Sequence, residues 1–179
     1  LRDATLTLLA LMNAGYYEEA HMWRDWLLRA AAGMPQQIQI MYGLRGERRL
    51  TEWEVPWLPG YENSKPVRIG NAAHNQRQMD VFGEVMDALH QARQGGLGVN
   101  ETGWDLQTEM LKHVEAVWQH RDEGIWEVRS GAEHFTYSKA MAWVAFDRAI
   151  KSAEMHKLPG DLAHWRKVRD DIHRDVCMR

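Results

Sequence analysis

Hydrophobic positions recur at helical spacing along most of this chain. Tyr17, Ala20, Trp23, Leu27 and Ala30 form one stripe, with Glu18, Glu19, Arg24 and Asp25 off it, which predicts an amphipathic helix from about Tyr16 to Ala32. Gly33 and Pro35 stop it. Met79, Phe82, Met86 and Leu89 mark a helix over about Asn71 to Arg93, ended by the run Gly95-Gly96-Leu97-Gly98. Trp104, Met110, Leu111, Val114, Val117 and Trp118 mark another from about Gly103 to His120. A last one, Leu162 to Val176, sets Leu162, Trp165, Val168, Ile172 and Val176 against a dense charged face. Two segments differ from these. In Ala4 to Met12, and again between Ala140 and Phe146 inside a helix expected from Thr136 to about Met155, apolar residues occupy most sides, the pattern of a buried helix. Asp3 and Thr136 are placed to cap those two helices.

Between the second and third helices the pattern breaks. Ile38 to Tyr42 alternates weakly, Gly43 to Gly46 turns, and Arg48 to Glu54 has the length of a returning antiparallel strand. A small irregular or β-hairpin insertion near residues 36–55 is therefore expected. Pro56, Pro59, Gly60 and Pro66 then enforce an irregular excursion, and Trp53, Trp57, Leu58 and Tyr61 argue that it is ordered. Six helices and almost no sheet predict an all-α chain, with short turns pairing successive helices into three antiparallel hairpins. The all-round apolar helices (first and fifth) alternate with amphipathic ones, which predicts an inner and an outer layer.

Composition narrows the possibilities. With 179 residues, 45% of them apolar, the chain is long enough for a single domain, 1–179, with a sizeable core. A net charge of −3 leaves no basic stripe for nucleic acid. No apolar run approaches the roughly 20 residues of a membrane span. The one cysteine, Cys177, excludes an intrachain disulfide and suits a reducing compartment, so a cytoplasmic location is expected. The chain opens at Leu1 inside an apolar helical pattern and reads as a piece of something longer. Nine histidines include no His-Glu-x-x-His pair and none spaced four apart, no Gly-x-Ser-x-Gly elbow is present, and the glycine run follows a helix rather than a strand. No metal or cofactor is expected.

Candidate chemistry concentrates between the fourth and fifth helices. Asp122-Glu123-Gly124-Ile125-Trp126-Glu127-Val128-Arg129 gathers three carboxylates, a guanidinium and an indole. Taken alone, this reads as a solvated acidic turn with Trp126 in the core. As a site, a carboxyl shielded by Trp126 would have its pKa raised by desolvation, the state a general acid needs, and the indole offers a flat face to a sugar ring. Nine tryptophans in all suit a carbohydrate-binding enzyme.

Five stretches decide between these readings: Leu1-Arg2-Asp3-Ala4-Thr5-Leu6-Thr7-Leu8, Trp57-Leu58-Pro59-Gly60-Tyr61, Val67-Arg68-Ile69-Gly70-Asn71-Ala72-Ala73, Gly124-Ile125-Trp126-Glu127-Val128-Arg129, and His134-Phe135-Thr136-Tyr137-Ser138-Lys139. In this order they resemble glycoside hydrolase family 15, and within it the bacterial glucoamylase and trehalase-like members. The resemblance implies an (α/α)6 toroid of twelve helices in two rings and inverting hydrolysis of a terminal α-linked glucose. It implies Glu127 as general acid, and Arg2 and Asp3 as ligands of the terminal glucose hydroxyls, consistent with the directional hydrogen bonds such a pair makes. Arg68 and Asn71 fall in a second substrate-facing segment, Trp57 and Trp126 are candidates for ring stacking, and Asp122 and Glu123 are rival acids.

Six helices are half of twelve, and none of the carboxylates after Glu127 sits in a motif resembling the family's general base. Both point to about half a toroid that carries the acid and lacks the base. A half-toroid leaves inner helices uncovered, so self-association through those faces is expected. Two other classes stay open: a sugar-binding or scaffold module without catalysis, and a helical interaction domain.

Overall fold

The computed structural model describes residues 1–30, 37–127 and 130–178. The expected helix end at Ala31 and Ala32, its stop at Gly33 and Pro35, the first residue of the 36–55 insertion, and Val128 and Arg129 of the acidic loop lie outside them. The described elements are α1 (Arg2–Asn13), α2 (Tyr17–Ala30), β1 (Trp53–Glu54), β2 (Arg68–Ile69), α3 (Asp80–Gln94), α4 (Glu101–Val117), α5 (Thr136–His156) and α6 (Leu162–Met178).

Side-chain contacts give the helix directions. Arg2 at the start of α1 bonds Asp80 at the start of α3. Glu84, Asp87 and His90 along α3 meet Tyr137, Arg148 and Ser152 in the same order along α5. So α1, α3 and α5 run parallel. The other helices return: Lys139 and Glu154 of α5 pair with Asp175 and Arg166 of α6 in reversed order. Phe82 near the start of α3 lies against His113 near the end of α4, at 5.0 Å between ring centroids. The result is two layers, with α1, α3 and α5 inside and α2, α4 and α6 outside. It is the all-α, half-toroid arrangement that the hydrophobic pattern and the family resemblance implied.

The innermost position belongs to α3, between α1 and α5. Every residue from Gln78 to Met86 is buried, although the sequence there mixes apolar and charged side chains. Gly83 permits this packing, because a Cβ at that position would lie 2.1 Å from the backbone oxygen of Met141 in α5. On α5, Ala142, Ala145, Phe146 and Ala149 are fully buried, and the small ones let the two helices approach closely.

The structure corrects several expectations. The first helix is not enclosed all round: it buries Thr5, Leu8 and Met12 along one stripe and leaves Leu6 52% exposed, since only α2 and α3 pack on it among the described elements. Asp3 is no cap, because α1 begins at Arg2, with Thr5 N–H already bonded to the Leu1 carbonyl. Thr136 likewise lies inside α5, whose first turn hangs from Phe135. The helix expected from Asn71 starts at Asp80 instead. Asn71 closes its own short turn over Ala72–Asn75 by accepting the Ala73 N–H, and Gln76 is then extended.

In the insertion the irregular alternative holds. Residues 38–50 contain no strand; Ile40 is buried in the core and Tyr42 packs edge-on against Trp26. The two-residue ladder forms farther along, β1 pairing antiparallel with β2 in the register Trp53 to Ile69 and Glu54 to Arg68. The nine tryptophans differ in burial: Trp104, Trp118 and Trp165 are buried, Trp23, Trp26 and Trp143 half-buried, and Trp53, Trp57 and Trp126 exposed. No described helix is long and apolar enough to cross a membrane.

Candidate active site

Because α1, α3 and α5 run parallel, their N-termini share one end of the inner layer. Each brings unpaired backbone N–H groups and the positive end of its macrodipole there. The loop that precedes α5 reaches the same end and is fastened to the segment that precedes α3. Asp122 exchanges backbone hydrogen bonds with Glu133 (2.9 and 2.8 Å), and its Oδ2 accepts the Met79 N–H at 2.9 Å. Glu123 accepts the Arg77 N–H at 2.8 Å and returns its own N–H to the Arg77 carbonyl. Gly124 turns the loop at φ +65°, seated so close on Phe135 that a Cβ there would lie 2.6 Å from the ring.

The guanidinium of Arg2 joins these pieces. Its Nε donates to Asp80 Oδ2 at 2.6 Å, Nη2 to Gln78 Oε1 at 2.7 Å, and Nη1 to the Ile125 carbonyl at 3.3 Å. Ile125 is two positions before Glu127. One side chain thus ties the start of α1 to the start of α3 and to the acidic loop. A turn further along α3, Glu84 accepts the Tyr137 hydroxyl at 2.5 Å. Burial pushes the Glu84 carboxyl above the usual carboxylate range, and burial together with the Glu84 hydrogen bond pushes the Tyr137 phenol up.

The expected residues fare differently. Arg2 is fixed as described, and Asp3 is exposed on the first turn of α1. Glu127 has left-handed backbone geometry, φ +51°, a conformation that non-glycine residues adopt at a cost and that is concentrated at functional sites. Its side chain makes no hydrogen bond or ion pair among the described residues, whereas Asp122 and Glu123 are both committed to holding the loop. Trp126 is 82% exposed and so does not supply the shielding expected of it. The desolvated carboxyl of the loop is Asp122, 2% exposed, its pKa raised by burial against the pull of the Met79 N–H.

The excursion residues serve each other. Trp57, 70% exposed, leans on Trp53 with centroids 5.9 Å apart. Arg68 pairs with Glu52 (3.6 Å) and Glu54 (3.2 Å) across the ladder. Asn71 caps its short turn and bonds the Leu50 carbonyl. No hydrogen bond among the described residues links any of these three to the Arg2 group. Gln78, Asp80, Glu84 and Tyr137 were not anticipated. Their signals in the sequence are the spacing of Asp80 and Glu84, which places two carboxylates on one face of an otherwise core-bound helix, and the position of Tyr137 in the His134–Lys139 stretch. Among the described residues no cluster of three or more His, Cys, Asp or Glu is arranged to hold a metal ion.

The model for glycosyl hydrolases family 15 matches residues 1–179. The chain belongs to that family. Among family 15 relatives, a trehalase of Mycolicibacterium smegmatis is 37% identical over 182 residues, covering 100% of this chain and 27% of the relative. A trehalase of Mycobacterium tuberculosis is 36% identical over 98% of this chain and 26% of its own length. One of Thermoplasma acidophilum is 34% identical over 100% of this chain and 30% of the relative. The chain therefore spans less than a third of each of these curated family members. No solved structure matches it.

Proposed function

We propose that this chain supplies the general acid and the terminal-glucose contacts of an inverting α-glucoside hydrolase, with trehalose as the substrate that the similar proteins favour. The observation that carries the reading is the hydrogen bond from Arg2 to the Ile125 carbonyl, which brings the start of the chain against the loop bearing Glu127. A guanidinium has five N–H donors. Three are engaged by Asp80, Gln78 and Ile125, which leaves two for sugar hydroxyls beside the exposed carboxylate of Asp3. Trp126 offers its open face for stacking.

In this mechanism the Glu127 carboxyl gives its proton to the glycosidic oxygen as the bond from C1 to that oxygen breaks. A water attacks C1 from the opposite face, and a carboxylate takes the proton it sheds. We assign that base to the part of the family chain that residues 1–179 do not span, and treat 1–179 as a partial catalytic domain, inactive by itself. From trehalose the products are one β-glucose, inverted at C1, and one α-glucose.

The test uses the full-length protein. Glu127→Gln is expected to lower kcat on trehalose by about 10²–10⁴-fold with binding measured by calorimetry changed only a few-fold. Proton NMR during wild-type turnover should show equal α- and β-glucose before mutarotation. Undiminished turnover by the variant, or α-glucose alone, refutes the assignment. Wild-type protein that binds trehalose and never hydrolyses it would favour a sugar-binding module instead.

Self-association of the isolated chain is part of the same proposal. Beside α1 and α2 lies an open groove of about 440 Å³ whose walls include Met22, Trp23, Trp26, Met41 and Leu44.

A further inference from the structure

Far from the site, at the other end of α3, the layers enclose a cationic pocket. Asp80 and Arg93 are thirteen residues apart on α3, about 20 Å along the helix axis. Arg93 points between α2, α4 and α5 and donates from Nη2 to Gln107 Oε1 (2.8 Å) and to Ser152 Oγ (2.9 Å), and it lies over the Trp104 ring at 5.5 Å. All these partners are neutral. No described carboxylate pairs with Arg93, and its strongest charged neighbour is a second cation, Arg24. Burial and that neighbour pull the Arg93 pKa down to about 10, which still leaves it charged at neutral pH. Arg24 reaches the same place from α2; its Nε lies 3.5 Å from the exposed Asp25 carboxylate, Nη1 donates to the Gly98 carbonyl at 3.2 Å, and Nη2 meets His21 Nδ1 at 3.4 Å.

Both arginines line a cavity of about 20 Å³, whose other walls are the polar Asn100 and Gln107 and apolar side chains that include Leu27, Leu89, Leu97 and Leu106. The Nε atoms of Arg24 and Arg93 are both buried; neither makes a hydrogen bond among the described residues, and that of Arg24 has only its 3.5 Å ion pair with Asp25. A cavity of this size holds one water-sized particle. Water would accept both N–H groups and leave the charge of Arg93 uncompensated, and a buried unpaired charge is costly. A monatomic anion satisfies both needs at once.

We propose that a halide ion, chloride in the cell, binds between Arg24 and Arg93 and neutralises the junction of α2, α3 and α4. The pocket is too small for phosphate, sulfate or a carboxylate ligand, and it is separate from the end that carries Glu127. The proposal does not depend on the hydrolase reading.

Crystals of the full-length protein soaked in sodium bromide and measured above the bromine absorption edge test it directly. The expected result is an anomalous peak in the cavity within hydrogen-bonding reach of the Arg93 Nε and beside the Arg24 guanidinium. An ordinary water there with no anomalous signal at saturating bromide, or a carboxylate from another segment filling the cavity, overturns it. In solution, sodium chloride should raise Tm saturably by about 2–5 °C over sodium gluconate at equal ionic strength. Arg93→Gln should abolish that increment. Arg24→Gln, on the α2 wall of the same cavity, serves if the first variant does not fold. An unchanged chloride increment in a folded variant would refute the site.

Discussion

Arg2 acquires its role from acceptors 76, 78 and 123 positions away in the chain. Nothing in its neighbourhood along the sequence reveals that it is held, only that an arginine precedes an aspartate. Its main partner, Asp80, is fully buried, so neutralising that carboxylate strands a largely desolvated guanidinium. Asp80→Asn should therefore lower stability by about 3–5 kcal/mol, read from the midpoint of urea unfolding, and should cost activity because the Arg2 bridge to the loop loosens. A variant as stable as wild type would show that Asp80 does not anchor Arg2. Glu127 stands out in its loop as a candidate, but the shielding of its carboxyl expected from Trp126 is absent. The indole beside it faces solvent, and the buried carboxyl is Asp122, which staples the loop to the start of α3. Which member of an acidic cluster is desolvated depends on what lies over it, and that comes from distant segments.

At the scale of elements, the existence and type of all six helices followed from apolar spacing, because a 3.6-residue stripe is a local property. Their starts did not. The third helix was expected nine residues early because the apolar pattern runs on through Ala72 and Ala73, while the Asn71 side chain closes a separate turn there. The β ladder was misplaced because any short alternating run can pair with another, and the closure between β1 and β2 is set by the proline-rich excursion. Between α3 and α5 the buried His90 places Nδ1 2.8 Å from Ser152 Oγ. Burial, with Arg148, Arg93 and Lys151 nearby against Asp87, lowers its pKa to about 4, below the usual value near 6.5. The unfolded chain then takes up the proton first. The stabilisation is full above about pH 6.5 and is lost as pH falls toward 4. Melting curves at pH 7, 5.5 and 4 should show wild-type Tm falling more than that of His90→Gln; equal falls would mean that His90 does not titrate in this window.

Over the whole molecule, three parallel inner helices bring Arg2, Asp80, Glu84, Tyr137 and the acidic loop to one end, while the chloride pocket lies at the other. The arc is open at its edges. Met22 is 62% and Leu44 96% exposed beside the apolar groove, a surface that an isolated 1–179 chain would have to leave in water. Light scattering on that chain should report a dimer or larger species, and Met22→Lys with Leu44→Glu should shift it toward monomer. A monodisperse wild-type monomer at the same concentration would show that the groove is not an association surface. The sequence alone determined the helical class, the six described helices and the gathering of acids in one loop, because periodicity, helix stops and compact motifs are written in neighbouring residues. Only the tertiary structure decided which helix is innermost, which acid is desolvated, and what holds Arg2. Those depend on burial and on partners dozens of residues away, which exist only once the layers have packed.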